Sequence, residues 1–348
     1  MQFRAVLGRI AGIGMLFTLA GCGGDGGVNS TSGGSTTPLA PAPSAVTPSG
    51  LSASTSFSNT MQSGNFVTLR AAATVDRPAS NSGTASPTVQ IAAADANNFI
   101  SYNAATNVYT LNYTGSSGSQ SKVDFTPTGA RPTITANGSP DPTEVNFSYN
   151  DCYTSGCYSS NYIISHKANN FTYTYTAFGS NSSSSLSMVD SSSSASTSFF
   201  VFGFPTPTAA VPRSGSATYT LDLVGTYPGT GTGSVNFAAG TYNFSGNIAQ
   251  STAYAQTTGS FQSTGTLATT NGFSGTINLT VNQTIINPSS TANTVNNYTF
   301  KGSIGGLFFG PSAQELGGTF VAPNTSTQSN VSGTPVASPA YGAILGHR

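Results

Sequence analysis

Phe273-Ser274-Gly275-Thr276-Ile277-Asn278-Leu279-Thr280-Val281 is the stretch that decides the fold class of this chain. Apolar residues at 273, 277, 279 and 281 alternate with Ser, Thr and Asn, and a glycine takes the remaining place in the apolar register. A period of two means a strand with one face buried and the other in water. Working outward, the same alternation recurs on both sides. Ala217, Tyr219, Leu221 and Leu223 share one face, and residues 235–237 mark a second run. Tyr242, Phe244 and Ile248 follow, then Phe261 and Leu267. Beyond the opening stretch come Tyr298, Phe300 and Ile304, then Leu316, Phe320 and Ala322, then Tyr341, Ala343 and Leu345. Short strands joined by Gly, Asn and Ser turns, with no helical period between them, predict an antiparallel meander. Closing it into an eight-stranded antiparallel β-barrel removes its edges. Gly246, Gly265, Gly275 and Gly302 lie in the apolar register, which suits bends or close packing inside a small barrel.

The first half shows shorter alternating runs at 66–74, 88–93, 107–113, 122–126, 144–150, 161–166 and 171–176. Val145, Phe147 and Tyr149 alternate with Asn and Ser, and Phe171, Tyr173 and Tyr175 alternate with Thr. Asn137-Gly138, Ser139-Pro140 and Asp141-Pro142 are turn signals between them. The serine-rich stretch 181–197 reads as a surface loop or a long hairpin tip. Pro205, Pro207 and Pro212 exclude a central strand and mark a boundary between the two halves.

Composition narrows the function. Only 6% of the 348 residues are charged, and there is no tryptophan. Such a chain has no basic patch for nucleic acid and no basic amphipathic helix. Its 15 Tyr and 21 Phe, with 37% hydrophobic residues, argue against disorder. The polar surface is left to Ser, Thr, Asn and Gly, as in exported β-proteins.

The N-terminus supplies an address. Arg4 and Arg9 precede an apolar run over 10–20 that ends in Leu19-Ala20-Gly21-Cys22. A positive start, a short apolar core and small residues before a cut make an export signal. The run is about half the ~20 apolar residues that span a bilayer. The site resembles the lipobox of bacterial lipoproteins, in which the cysteine is acylated and becomes the first mature residue. Residue 23 is glycine, not aspartate, which by the same resemblance implies the outer membrane, with the cell surface favoured over its periplasmic face. Losing Arg4 and Arg9 with the leader leaves eight basic against ten acidic residues, a net charge of −2. Residues 22–50 are rich in Gly, Ser, Thr and Pro with little to bury, a tether spanning roughly 30 Å.

Residues 302–320 carry a further resemblance. Gly302-Ser303-Ile304-Gly305-Gly306-Leu307-Phe308-Phe309-Gly310-Pro311-Ser312-Ala313-Gln314-Glu315-Leu316-Gly317-Gly318-Thr319-Phe320 resembles the signature of the transferrin-binding protein B-like β-barrel lipoproteins. Phe200-Val201-Phe202-Gly203 through Pro212-Arg213-Ser214-Gly215 is similar to the lead-in to their barrel, and Gly342-Ala343 to their closing strand. The resemblance implies an N-terminal handle domain followed by a C-terminal barrel, here in a single lobe. By itself the signature reads as a strand end at Gly310-Pro311, one helical turn over 312–316, and a return to strand permitted by Gly317-Gly318. Glu315 is the one acid between Asp222 and the C-terminus, and its expected role is to accept backbone hydrogen bonds that fix this turn.

Few residues are placed for chemistry. Cys152 and Cys157 enclose four residues and read as a disulfide in an oxidising envelope. Closing so short a loop contributes about 2 kcal/mol on the chain-entropy model. The alternatives are a zinc site, which needs about four ligands, and a redox pair, which usually has C-x-x-C spacing. Histidine occurs at 166 and 347 alone. His166 at a strand end is the candidate axial ligand for haem, against the plainer reading of an exposed strand-end side chain. His347 is expected in solvent. A Ser-His-Asp triad has little to draw on, and no calcium loop or phosphate-binding glycine loop is present. Neither a metal nor a cofactor is expected, and haem is the one candidate exception.

The sequence therefore predicts an all-β protein: signal peptide 1–21, tether 22–50, handle-like β domain 51–204 and barrel 205–348. The expected function is a non-enzymatic outer-membrane binding protein for a host or environmental protein or an iron- or haem-related ligand. Tyr153, Tyr158 and Tyr162 near the cysteine pair are the candidate contact aromatics, with sheet packing as the plainer alternative. A TonB-dependent receptor is a candidate partner. The alternative reading is a structural or adhesive surface protein without a dedicated ligand.

Overall fold

The computed structural model describes residues 64–77, 86–92, 99–103, 108–114, 120–125, 135–136, 145–153, 156–187, 193–253, 255–286, 293–326 and 339–348. The expected leader and tether lie outside these residues. The N-terminal half contains β1 (Gly64–Arg77), β2 (Ser86–Ala92), β3 (Phe99–Asn103), β4 (Val108–Thr114), β5 (Gln120–Phe125), β6 (Thr135–Ala136), β7 (Val145–Tyr153) and β8 (Gly156–Ser165). The short β9 (Lys167–Ala168) and β10 (Phe171–Thr172) precede β11 (Thr176–Ser187) and β12 (Ser193–Gly203). Ten of these strands form one sheet in the order β5-β4-β3-β1-β12-β11-β8-β7-β6, with β2 also on β1, while β9 and β10 pair apart.

The second half contains β13 (Ser216–Gly225), β14 (Gly229–Asn236), β15 (Thr241–Ser251), β16 (Ala255–Leu267), β17 (Gly272–Ile285), β18 (Thr294–Phe309), β19 (Glu315–Ala322) and β20 (Ala340–His347). They close in chain order into an eight-stranded antiparallel barrel, with β20 returning to β13. The protein is all-β, and each alternating run read in this half is one barrel strand.

The alternation fills the barrel rather than hollowing it. Tyr219, Leu221, Phe244, Phe261, Phe273, Ile277, Leu279, Phe300, Phe308 and Phe320 are buried on its inner face. The Tyr242 and Phe244 rings lie 4.4 Å apart, and Phe273 meets both edge-on at 5.3 and 5.6 Å. Each such aromatic stabilises the fold by about 1.5–3 kcal/mol through burial. The glycines in the apolar register make the room. A Cβ at Gly265 or Gly275 would fall 2.7 or 2.5 Å from the Tyr242 ring or hydroxyl, and one at Gly246 would fall 2.5 Å from Phe261. The hydroxyl of Tyr242 lies 3.2 Å from Ser263 Oγ inside the barrel. Burial pushes that phenol up to about 12 against the pull of this bond.

One wall of the barrel is covered on both sides. Every residue of β19 is buried, although its side chains alternate between two faces. Leu316 and Phe320 join the barrel core. Gly317 faces the other way, where an added Cβ would lie 2.6 Å from Val201 of β12. Val201 and Phe178 of the large sheet share an apolar cluster with Ala343 and Leu345 of β20 and Phe309 of β18. The large sheet therefore docks through β1, β11 and β12 on the outer face of β19 and β20. Elsewhere the outer wall is wet: β15 and β17 expose Asn243, Asn247, Thr276, Asn278 and Thr280 at alternate positions.

Three local expectations are corrected. Residues 312–316 do not form a helical turn: Gly310–Ala313 is a tight turn, and the chain is already strand at Glu315. Gly310 (φ 82°) and Ala313 (φ 59°) adopt left-handed backbone, which breaks any helix. Gly317 and Gly318 lie within β19 and clear space rather than allow re-entry. Gly318 pairs with Gly306 beneath the Phe273 ring, while Gly317 admits Val201. Residues 171–176 are not one strand. β10 stops at Thr172, and the amides of Thr174 and Tyr175 bond to Glu315 instead of a neighbouring strand.

The serine-rich stretch 181–197 is the end of a long hairpin, with Leu186 opposite Ser193. Hydroxyl pairs take the place of apolar packing there: Ser182 Oγ to Thr197 Oγ1 and Ser159 Oγ to Ser184 Oγ, both 2.7 Å.

Candidate functional site

The candidate contact aromatics fall on the β7–β8 hairpin. Cys152 is the direct cross-strand partner of Cys157, and Tyr153 that of Gly156. Gly156, Tyr158, Tyr162 and Ile164 are separated by even steps along β8, so the register places Tyr153, Tyr158 and Tyr162 on one face of the sheet. Ile164 on that face is buried. The side chains of the three tyrosines and both cysteines lie outside the described residues. Cys22 does too.

His166 is brought to a different place. It follows the far end of β8, about 30 Å along the strand from Tyr153 at ~3.3 Å per residue. It is buried, not exposed at a strand end. Its Nδ1 lies 2.9 Å from the carbonyl of Tyr173, and the Tyr173 amide donates to the His166 carbonyl at 2.7 Å. These contacts close a small loop around β9 and β10, whose tip residues Asn169 and Asn170 take positive φ. A buried imidazole spent on its own loop is not presented to an external haem. His347 is likewise not a free terminal side chain. Its ring stacks on Phe171 at 3.4 Å and 4°.

This loop adds polar contacts to the apolar docking of the two halves. Glu315 Oε1 accepts the Thr174 amide at 2.7 Å, and Oε2 accepts the Tyr175 amide at 2.9 Å. The sequence-based role of Glu315 is thus half right in kind and wrong in place. It does accept backbone N–H groups, but those of the other half of the chain. Its own turn is held by other residues: Thr206 Oγ1 donates to the Gly310 carbonyl, and Tyr219 donates from inside the barrel to the Ala313 carbonyl. Burial raises the Glu315 pKa above the ordinary carboxylate value, and the amides of Thr174, Tyr175 and Thr176 pull it back in part.

Asp222 is the second acceptor. It lies on β13 and takes a 2.7 Å bond from the Tyr173 hydroxyl and a 2.9 Å bond from Asn169 Nδ2. Burial, with the Asp222 and Glu315 carboxylates facing it, raises the Tyr173 phenol well above its ordinary value, so it remains a donor. The sequence reading missed Asp222 and Tyr173. The available signal was a lone acid on the outward register of a nearly uncharged barrel strand. Donors and acceptors here are turned on one another, so the arrangement is a clamp. Among the described residues no three His, Cys, Asp or Glu side chains gather as a metal site would require.

Known proteins supply the context. Residues 207–342 match the family described as "C-lobe and N-lobe beta barrels of Tf-binding protein B". No curated protein matches the sequence. Among solved structures, the chain is similar to intact Ap-TbpB with its N and C lobes, at 14% identity over 72% of this chain and 54% of that one, with a TM-score of 0.28. It is similar to the vaccine antigen transferrin-binding protein B of Haemophilus parasuis, at 14% identity over 80% of this chain and 44% of that one, with a TM-score of 0.30. It is also similar to the haemoglobin receptor HpuA of Kingella denitrificans, at 17% identity over 81% of this chain and 85% of that one, with a TM-score of 0.34. The chain spans about half the length of the two transferrin-binding protein B structures. Its closed eight-stranded barrel, with the Gly302–Phe320 signature running through β18 and β19, is thus the part of the chain that is similar to the transferrin-binding protein B barrels.

Proposed function

We propose that this chain is an outer-membrane surface lipoprotein that binds a protein ligand and performs no chemistry on it. The observation that carries the reading is a barrel similar to those of this family whose interior is packed with its own aromatic side chains. Such a barrel serves as a scaffold, and recognition falls to the exterior and to the sheet clamped against it. The β7–β8 hairpin is the proposed contact surface, stapled by a Cys152–Cys157 disulfide and carrying Tyr153, Tyr158 and Tyr162. The partner class is a host protein such as transferrin or haemoglobin, which the similar proteins are named for. Cys22 carries the lipid, and residues 23–50 hold the folded part off the membrane.

The test is capture of purified transferrin, haemoglobin and whole serum proteins by the immobilised chain, repeated with Tyr158→Ala and Tyr162→Ala. Saturable capture lost in the double variant supports the reading. Capture that the variant leaves unchanged moves the surface elsewhere, and no capture refutes a host-protein role. Cys22→Ala should shift the protein from the membrane to a soluble fraction.

A further inference from the structure

At the barrel end that carries the Gly310–Ala313 turn, a cleft of about 240 Å³ opens between the incoming segment, the β14–β15 turn and the β16–β17 turn. Val211, Pro212, Phe237, Leu267 and Phe308 supply the apolar half of its lining. Arg213 is the one charged side chain in the lining. Arg213 lines the cleft and is fixed by two bonds from Nη2, to the carbonyls of Thr208 (3.2 Å) and Thr269 (2.7 Å). Those bonds use two of the five N–H donors of a guanidinium. Arg348 lies over the Phe237 ring at 5.6 Å from its centre but outside the lining, with its Nε donating to the Tyr219 hydroxyl at 3.2 Å. The two carboxylate side chains of the barrel half, Asp222 and Glu315, are both engaged in the clamp. Thr270, also in the lining, has a buried hydroxyl with no hydrogen-bond partner. A buried hydroxyl without a partner costs free energy, and a ligand oxygen in the cleft would supply one.

We propose that this cleft binds a small monocarboxylic acid with an apolar body, the carboxylate against Arg213 and Thr270 and the body against Phe237, Leu267 and Phe308. A volume near 240 Å³ equals the share of about eight water molecules in liquid, the size of a short aliphatic or aromatic acid and far below a haem. The site stands apart from the protein-binding hairpin and does not depend on it.

The test is an NMR titration of the isotope-labelled Cys22→Ser chain, which cannot be acylated, with octanoate, with octanol, and with a short peptide ending in a hydrophobic residue. Saturable shifts at Ala238, Gly240 and Thr269 with octanoate, and much weaker ones with octanol, are expected. Arg213→Gln should weaken octanoate roughly tenfold or more, the loss expected for a bond to a charged group. Thr270→Val, which leaves the Arg213 anchors in place, should weaken it severalfold. Equal binding of octanol removes the carboxylate assignment. Binding of the peptide alone overturns the free-acid assignment, and absence of any saturable shift overturns the site.

Discussion

Replacing Glu315 with alanine tests the clamp directly. Glu315 Oε1 and Oε2 accept the Thr174 and Tyr175 amides at 2.7 and 2.9 Å, in a setting where the side chain is only 4% exposed. Alanine leaves two buried amides without acceptors, at about 1–3 kcal/mol each. It also removes the cost of burying a carboxylate, the same burial that raises its pKa. The net loss should be about 2–4 kcal/mol, below the cost of the two orphaned amides taken alone. The damage should be local first. Lys167 on β9 is exposed but sits in the loop the clamp holds, so tryptic cleavage there reports undocking. Wild-type protein should resist cleavage at Lys167 under native conditions, and Glu315→Ala should be nicked there well before global unfolding in urea. A loss under 0.5 kcal/mol with Lys167 still protected would refute the clamp. Glutamine should rescue only in part, because its amide can accept at one oxygen while its NH2 faces the other N–H.

The pH dependence has a definite sign. The folded pKa of Glu315 is raised above its ordinary 4.5, so the folded state holds the proton more tightly, and this contribution to stability is lost as pH rises from about 4.5 through the raised value; urea midpoints of wild type and Glu315→Gln compared across that window should show the slope in wild type alone. A double-mutant cycle on Tyr173→Phe and Asp222→Asn should give a coupling of about 1.5–3 kcal/mol, and a coupling near zero would mean that the 2.7 Å bond contributes nothing net. Gly317→Val should lower stability by about 1–3 kcal/mol through overpacking against Val201, whereas Gly305→Ala, with open space at its Cβ, should change the urea midpoint little. Thiol titration of denatured, unreduced protein lacking Cys22 should find no free thiol if the facing Cys152 and Cys157 are bonded, and two if they are not.

The barrel was legible because most of its strands are half-buried surfaces with their own period of two. Tyr219-Thr220-Leu221-Asp222-Leu223 states which residues enter the core without reference to any other strand. β14 was only partly visible, as three of its four inner positions are Gly229, Gly231 and Gly233, leaving Val235 alone, and glycine carries no hydropathy signal. The large sheet was harder to read. Ser182, Ser183, Ser184 and Ser185 in β11 give no alternation, and their pairing rests on hydroxyl contacts and register that local sequence does not encode. The clamp was invisible for a different reason. Thr174 and Glu315 are 141 residues apart, and only the closed barrel brings them together. Reading His166 as a strand end was correct as to chain position, since β8 stops at Ser165. Its burial comes from a loop folding back over it, which periodicity does not report.

The seam of the barrel sets a timetable. β13 is closed not by its sequence neighbour alone but also by β20, through pairs such as Thr220 with His347. The first strand of the barrel therefore waits for the last residues of the chain before its second edge is satisfied. The clamp waits with it, because Glu315 is itself paired with His347 and the ring of His347 covers Phe171 in the loop being clamped. Until β20 arrives, β13 and β19 are open edges. Loss of even the final few residues should thus be felt at both ends of the molecule, out of all proportion to the atoms removed.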